Sequence, residues 1–201
     1  MSIRIFMQYN DVMSKEEKNN WDERYSSHDY KPREKPSDLL TKWIDRLPGG
    51  KALDLACGTG RNSFFLAEKG YEVTAIDVSP TAIEMAKNKA REKGLTINWI
   101  IADLDRFKIS GRYDVVLSFF YVNKKMVPDI IKSLNIGGIL IFISHMLPAI
   151  PSEETNKHRF RFKPGELRQL FKSLKVLQYD EDQMDEEGGR HSSLASLVAQ
   201  K

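Results

Sequence analysis

The sequence predicts an α/β fold, a three-layer α/β/α sandwich built around a mostly parallel sheet. Strand-like and helix-like segments alternate through the first three-quarters of the chain, which is the pattern of βαβ units. Two of the strand-like segments, Val115–Leu117 and Ile139–Ile143, are uninterrupted apolar runs, as expected of strands buried on both faces. Near the end, two strands follow each other without a helix between them, which indicates an antiparallel pair closing one edge of the sheet.

Local patterns place the individual elements. Ser37 is a candidate N-cap for a helix with one apolar stripe, and Pro48-Gly49-Gly50 ends it. Ser79-Pro80 is a second helix start, and Gly70 and Gly94 are suited to helix ends. The predicted helices of the main body are 37–47, Arg61–Lys69, 79–94, Pro128–Leu134 and Pro164–Leu174. The predicted strands are Lys51–Ala56, Tyr71–Ile76, Ile97–Ala102, Tyr113–Phe119, Ile139–Ser144, Lys175–Tyr179 and Leu194–Ala199.

Composition narrows the class of protein. The chain has 201 residues, which predicts a single domain at roughly 100–200 residues per domain. With 31 basic and 28 acidic side chains the net charge is +3, and a balance so near zero does not indicate a nucleic-acid or membrane-surface partner. A single cysteine, Cys57, excludes an internal disulfide framework and a multi-cysteine zinc site. No metal site is predicted.

The N-terminal region is expected to be a separate segment of the fold. Residues 1–13 contain no uninterrupted apolar stretch, so no secretory signal is predicted, and the longest apolar runs are far shorter than the ~20 residues that span a bilayer. Trp21 and Tyr25 stand at helical spacing, so residues 1–36 are interpreted as a helical segment and 37–201 as the main domain. A soluble cytoplasmic protein, monomeric or weakly dimeric, is expected.

The glycine-rich segment Leu53–Asn62, which reads L-D-L-A-C-G-T-G-R-N, is the strongest functional pattern. Gly58 and Gly60 allow the backbone to bend sharply between a strand and a helix and to approach a ligand closely. In open α/β sheets, ligands bind beyond the carboxyl ends of the strands. The sequence therefore predicts a binding site at this turn.

Three acidic residues at strand ends specify the ligand further. Asp77 ends the second strand, where a carboxylate can bind both hydroxyls of a ribose. Asp103 ends the third strand, where it can accept a hydrogen bond from a purine amino group. Asp54 lies within the glycine motif itself, where a carboxylate repels a pyrophosphate but suits a cationic ligand. Asp114, at the start of the fourth strand, is expected to be a solvated strand-end residue.

These residues resemble the S-adenosylmethionine-dependent methyltransferases of the seven-stranded, Rossmann-like class, whose first motif is D-x-x-x-G-x-G. The resemblance implies that the turn holds the amino-acid end of the cofactor, that Asp77 binds its ribose and that Asp103 binds its adenine amino group. Val78 and Leu104 are implied to sandwich the adenine ring. The implied product is S-adenosyl-L-homocysteine. The full set of implied cofactor residues is Arg24, Tyr25, Asp54, Ala56, Cys57, Gly58, Gly60, Asn62, Asp77, Val78, Asp103, Leu104 and Ser118.

A longer pattern is similar to the small tellurite-resistance-type methyltransferases. It consists of W-D-E-R-Y, L-D-L-A-C-G-T-G-R-N-S and F-K-P-G-E-L in that order. In that group the first segment folds over the cofactor, which implies lid contacts from Arg24 and Tyr25; simple packing of Trp21 and Tyr25 on the core is the alternative. The resemblance also implies a small, polarisable acceptor, such as a thiol or an oxyanion of tellurium or selenium.

No motif identifies the catalytic residues, and the candidates are Tyr121, His145, Arg159 and Arg161. His145 ends the fifth strand, where it could orient or deprotonate an acceptor or serve a structural role. Arg159 and Arg161 alternate with phenylalanines, so they either face the site and hold an oxyanion or form a solvated edge. The segment S-F-F-Y after the fourth strand lacks the [D/N]-P-P-[Y/F] motif, which disfavours a planar amino group as acceptor.

Three other functions remain open at this stage. A nicotinamide-dependent dehydrogenase would use the same turn but expects a third glycine where Ser63 stands. An RNA methyltransferase would use the basic run 157–175. A cofactor-binding but catalytically silent subunit would need a partner. Cys57 is interpreted as a small packing residue and not as a nucleophile.

Overall fold

The computed structural model describes residues 18–121, 123–147, 161–184 and 193–201. Its strands are β1 (Lys51–Leu55), β2 (Glu72–Asp77), β3 (Asn98–Ile101), β4 (Tyr113–Phe119), β5 (Leu134–His145), β6 (Lys175–Met184) and β7 (Ser193–Gln200). They form one sheet of seven strands in the order β3-β2-β1-β4-β5-β7-β6. The first five strands pair in parallel, whereas β7 pairs antiparallel with both β5 and β6. The predicted Rossmann-like α/β/α architecture is therefore confirmed.

Helices lie on both faces of the sheet, at the places where the sequence predicts them. They are α1 (18–26), α2 (Asp38–Trp43), α3 (Arg61–Glu68), α4 (Pro80–Glu92), α5 (Val127–Ser133) and α6 (Glu166–Leu170). Short 3-10 turns follow α2 at Ile44–Arg46 and precede α5 at Lys124–Met126. None of the helices in the described ranges is long and apolar enough to cross a membrane.

Alternate residues of the central strands supply two separate apolar layers. Val115 and Leu117 of β4 pack with Leu40, Phe64 and other side chains of α2, α3 and α4. Val116, between them, packs on the opposite face with side chains of α5 and α6. The uninterrupted apolar strands recognised in the sequence are thus covered on both faces, as parallel strands of this class require.

Strand β5 begins at Leu134, five residues before the predicted start, and it includes Gly137 and Gly138, which precede the predicted strand. The C-terminus explains the difference. Gly137 N donates to Lys201 O over 2.8 Å, and Lys201 N donates to Gly138 O over 3.0 Å, so this glycine pair is held in the sheet by the end of the chain. Sequence periodicity does not report such a long-range pairing.

Asp114 is not simply a solvated strand-end residue, and this expectation is wrong. Its Oδ2 accepts a 2.8 Å hydrogen bond from Lys51 N, and its Oδ1 accepts one of 2.7 Å from Asn135 Nδ2. The carboxylate therefore joins the starts of β1, β4 and β5. Gly50 makes room for it, since a Cβ at that position would lie 2.3 Å from Asp114 Oδ2.

Candidate functional site

A cavity of about 790 Å³, here called the main cavity, lies at the carboxyl ends of the parallel strands. Its size falls within the range of roughly 300–1,000 Å³ typical of small-molecule sites. Ala56 and the glycine turn after β1 form its floor, Asp77 enters from β2, and His145 enters from β5. α1 and the segment 27–33 line the opposite side. The position is the one that the sheet topology favours for a ligand.

The glycine turn is held open by three residues with positive φ. Ala56, Gly58 and Gly60 have φ values of +56°, +55° and +89°. Gly60 begins α3 against the Trp99 side chain, and a Cβ there would lie 2.7 Å from that ring. A glycine is needed at position 60 because the Trp99 ring leaves no room for a side chain, and not because this residue contacts the main cavity.

Asp77 fastens the turn to the end of β2. Its Oδ2 accepts a 2.7 Å hydrogen bond from Gly58 N, and its Oδ1 accepts one of 3.0 Å from Ser79 N. Burial raises the pKa of this carboxyl, while the amides of Ser79 and Gly58 oppose that shift. The Val78 amide also bonds this carboxyl, and because a carboxylate offers about four acceptor positions, about one remains for a hydroxyl group of a ligand.

Asp54 is a buried acid beneath the same turn, and only 2% of its surface is exposed. Its Oδ2 accepts a 2.6 Å hydrogen bond from the Ser63 hydroxyl. Burial raises the pKa of Asp54 to about 7; the Ser63 bond opposes the shift, the Asp77 charge adds to it and Arg61 opposes it. A cationic ligand group beside Asp54 would favour its ionised form.

The helix α1 roofs the main cavity with aromatic side chains. The Tyr25 hydroxyl lies 3.0 Å from the point where a Cβ of residue Gly58 would stand. Tyr25 stacks on Trp21 with ring centroids 5.8 Å apart, and Arg24 lies 5.0 Å above the Trp21 ring. Burial and the Asp77 charge raise the pKa of Tyr25, so its phenol stays protonated at neutral pH.

The ends of β4 and β5 form an aromatic wall on the other side of the main cavity. Phe120 adopts a φ of +61° and is held by a 2.7 Å hydrogen bond from its amide to Ile143 O. The His145 ring lies 5.1 Å from the Phe120 ring. The Tyr121 hydroxyl donates to Asp105 Oδ1 over 2.9 Å, and burial together with Asp105 raises the pKa of Tyr121. Tyr121 is therefore a hydrogen-bond donor and not a phenolate base.

Most of the predicted cofactor residues line the main cavity. They are Arg24, Tyr25, Asp54, Ala56, Cys57, Gly58, Asn62, Asp77, Val78, Asp103 and Leu104. Gly60 and Ser118 lie outside its lining. Ser118 points to the opposite face of β4, where its hydroxyl donates to Tyr121 O over 3.3 Å. Cys57 is half-buried in the turn, and loss of solvent around its thiol raises the pKa well above the ordinary value, in agreement with a packing role.

The candidate catalytic residues separate into two groups. Tyr121 and His145 line the main cavity. Arg161 is not among the lining residues, and its guanidinium donates to Met146 O over 3.1 Å. Of the two alternatives left open, this bond favours the one in which Arg161 does not face the site. Arg159 and the first part of the basic run 157–175 lie outside the described residues.

Sequence reasoning missed a further set of lining residues on the roof, in the glycine turn and on the aromatic wall. They are Trp21, Ser27, Asp29, Tyr30, Lys31, Arg33, Thr59, Arg61, Asp105, Phe119 and Phe120. Segment 27–33 has no periodic pattern that could have placed it over the cavity. Within the described residues, no three His, Cys, Asp or Glu side chains are grouped so as to hold a metal ion.

Comparison with known proteins identifies the family. The model of the family described as "Tellurite resistance protein TehB" matches residues 19–192. The chain belongs to the TehB family. It is 31% identical over 165 residues to the "Probable S-adenosyl-L-methionine-dependent methyltransferase TehB" of Haemophilus influenzae, which covers 75% of this chain and 57% of that protein. It is also 37% identical over 122 residues to the "Putative methyltransferase YqeM" of Bacillus subtilis, covering 55% of this chain and 49% of that protein. The chain thus spans about half the length of these TehB and YqeM relatives.

Solved structures share the fold. The crystal structure of TehB from Haemophilus influenzae matches 92% of this chain and 66% of its own, with a TM-score of 0.71 and 23% identity. The N-methyltransferase NodS from Bradyrhizobium japonicum, solved in complex with S-adenosyl-L-homocysteine, matches 92% of this chain and 97% of its own, with a TM-score of 0.70 and 17% identity. At these identities the two structures are evidence for the TehB-family fold alone.

Proposed function

We propose that this TehB-family chain is an S-adenosylmethionine-dependent methyltransferase that acts on a small-molecule acceptor, such as a thiol or a metalloid oxyanion. One observation carries the proposal. A single cavity brings together Asp54, the turn from Ala56 to Thr59, the Asp77 carboxylate and an aromatic wall at the ends of β4 and β5. The curated relatives described as methyltransferases support the same reaction class.

The acidic floor fits the polar groups of this cofactor. Asp77 lies beside the glycine turn, where the acceptor position left by its amide bonds would bind a ribose hydroxyl. Asp54, buried under that turn, would attract the ammonium of the amino-acid end. A pyrophosphate would instead meet two carboxylates here, so the arrangement favours S-adenosylmethionine over a dinucleotide. Ser63, at the position of the third dinucleotide glycine, serves as the hydrogen-bond donor to Asp54.

The adenine ring would lie between Val78 and Leu104, at the ends of β2 and β3. Both residues line the main cavity, and Leu104 is almost fully buried. Asp103 stands beside them, with Oδ1 accepting from Asp105 N over 2.9 Å and Oδ2 lying 3.7 Å from Arg106 Nε. Asp103 would accept a hydrogen bond from the adenine amino group.

When bound, S-adenosylmethionine supplies a methyl group on a sulfonium, an excellent leaving group, so the protein mainly has to align the acceptor and exclude water. Phe120 and Tyr121 would form the wall against which the acceptor is placed. Tyr121 donates its single O–H to Asp105, so its oxygen can accept a hydrogen bond from the substrate but does not serve as a base. His145 is the residue of this wall that we assign to orienting a protonated acceptor and receiving its proton.

Binding and activity measurements test the proposal in two steps. Calorimetry should show binding of S-adenosyl-L-homocysteine and no binding of NAD. A methyltransferase assay coupled to S-adenosyl-L-homocysteine release should then be run across thiols, metalloid oxyanions, halides and small amines. Turnover of a thiol or an oxyanion would support the acceptor class. Binding of NAD in place of S-adenosyl-L-homocysteine would overturn the reaction class.

A further inference from the structure

The face of α1 that meets the body of the protein carries a carboxylate with no part in the proposed chemistry. Asp22 Oδ1 accepts a hydrogen bond from the Ser79 hydroxyl and lies 3.4 Å from Thr81 N. Ser79 is the N-cap of α4, and its own hydroxyl oxygen accepts from Ala82 N over 3.0 Å. Asp22 therefore completes the capping of α4 from another element of the chain, where its negative charge also suits the positive end of the helix.

Ser79 links this contact to the floor of the main cavity. Its backbone amide donates to Asp77 Oδ1 over 3.0 Å, and the second oxygen of Asp77 accepts from Gly58 N over 2.7 Å. The charge of Asp22 also contributes to the raised pKa of Asp77. One serine therefore contacts both the carboxylate on α1 and the proposed ribose carboxylate.

Tyr25 provides a second contact between α1 and the residues around the main cavity. Its hydroxyl approaches Gly58 so closely that a Cβ at that position would lie 3.0 Å away. Asp22 and Tyr25 are three residues apart and thus lie on the same face of the helix. Helix α1 therefore contacts two turns that line the main cavity. Asp22 contacts Ser79 in the turn after β2, and Tyr25 contacts Gly58 in the turn after β1. Asp77 joins these two turns to each other.

We propose that Asp22 is a positioning residue that holds α1 closed over the main cavity and couples this closure to ligand binding at Asp77. The inference rests on the proposed function. A ligand that engages Asp77 would order the Ser79 turn, and the same turn holds Asp22. Loss of Asp22 should therefore release the roof and speed the escape of the cofactor, because closing segments control ligand release.

The first test measures the roof in the free protein. Hydrogen exchange of the amides in 18–26 should be compared in wild type, Asp22→Ala and Asp22→Asn. Exchange should be about tenfold faster in Asp22→Ala, the size of effect expected for loss of a helix cap. The exchange rate in Asp22→Asn should lie between those of wild type and Asp22→Ala, because asparagine keeps an acceptor oxygen. Glu23→Ala is the matched control, since Glu23 is an exposed acid on the same helix outside the cavity lining.

The second test measures coupling to the ligand. The dissociation rate of S-adenosyl-L-homocysteine should rise about tenfold in Asp22→Ala and stay at the wild-type value in Glu23→Ala. In turnover assays the KM for S-adenosylmethionine should rise more than kcat falls. A merely structural role would change melting temperature without this split between KM and kcat.

Ser79→Ala completes a double-mutant cycle with Asp22→Ala. If the two residues act through one contact, the double variant should release the ligand no faster than the worse single variant. Fully additive effects, or unchanged exchange in 18–26 of Asp22→Ala, would overturn the role of Asp22. A wild-type protein that binds no S-adenosyl-L-homocysteine would overturn the proposed function and the coupling, while the exchange measurement would still decide whether Asp22 holds α1.

Discussion

The Ser63 hydroxyl donates a 2.6 Å hydrogen bond to Asp54, a carboxyl that is 2% exposed between β1 and α3. A single neutral donor compensates only partly for burial, and the pKa of Asp54 consequently rises to about 7. The acid under the glycine turn therefore changes its charge near neutral pH.

Cofactor affinity should increase with pH. Below its pKa of about 7, Asp54 must lose a proton before it can pair with the ligand ammonium, so the affinity for S-adenosyl-L-homocysteine should fall by up to about tenfold per pH unit on acidification. Calorimetry between about pH 5.5 and 8.5 measures this dependence. Asp54→Asn should bind weakly with little pH dependence. Ser63→Ala should move the midpoint of the affinity curve to higher pH, because the hydrogen bond that this variant loses stabilises the ionised form of Asp54. An equal slope in wild type and Asp54→Asn would contradict this assignment.

Stability of the free protein should show the opposite trend. The pKa of Asp54 is raised on folding from 3.8 to about 7, so the folded state holds the proton more tightly than the unfolded state. Its stabilising contribution is complete below about 3.8 and is lost as the pH rises through about 7. Melting temperature should therefore decline between about pH 4 and 7 more steeply in wild type than in Asp54→Asn, and the two curves should run parallel above about pH 7. Parallel curves for the two proteins over the whole range would show that Asp54 keeps its ordinary pKa.

Asp77→Ala should abolish cofactor binding. The variant loses the proposed ribose acceptor and the two bonds that hold Gly58 and Ser79, so affinity for S-adenosyl-L-homocysteine should fall more than about 100-fold. Glu72→Ala, an exposed acid on the same strand, is the control and should bind as wild type. Circular dichroism should show both variants folded. Wild-type affinity in Asp77→Ala would mean that the ribose lies elsewhere.

Gly58→Ala should impair both stability and binding. Its φ of +55° costs a β-carbon residue about 1–2 kcal/mol, and the added Cβ would press on the Tyr25 hydroxyl 3.0 Å away. Gly94→Ala is a matched control, because Gly94 has a φ of +66° with nothing within 4 Å. Urea unfolding should show a lower free energy of unfolding in both variants, whereas calorimetry should show weaker binding of S-adenosyl-L-homocysteine only in Gly58→Ala. Adding Tyr25→Phe to Gly58→Ala should recover part of the binding if the contact is the cause.

His145→Gln should slow methyl transfer without weakening cofactor binding. If His145 receives the proton of a thiol acceptor, kcat should fall about 100-fold while the affinity for S-adenosyl-L-homocysteine stays unchanged. Tyr121→Phe is the comparison within the same wall: it removes the donor to Asp105 but no base, so its effect on kcat should be smaller. A wild-type kcat in His145→Gln would show that His145 does not receive the proton and only packs against Phe120.

The sheet and the glycine turn could be predicted because their signals are local. Gly58 and Gly60 follow a strand directly, and the apolar runs in β4 and β5 are continuous in the chain. The true start of β5 could not be predicted, since it depends on Lys201 at the far end of the sequence. The position of Ser118 outside the cavity lining could not be predicted for a similar reason: alternation along β4 shows which residues share a face, but not which face borders the cavity.

The sequence by itself determined the order of strands and helices, the glycine turn and the acids at the strand ends, because each depends on residues close together in the chain. Only the tertiary structure decided how those acids differ. Burial raises the pKa of Asp54, two backbone amides hold Asp77, and Asp114 ties three strands together. The same holds for α1. Its Asp22 accepts a hydrogen bond from Ser79, which is far away in the sequence, so no local pattern predicts this contact. Solvent exclusion and hydrogen bonding between distant segments set these roles, and both exist only once the chain is folded.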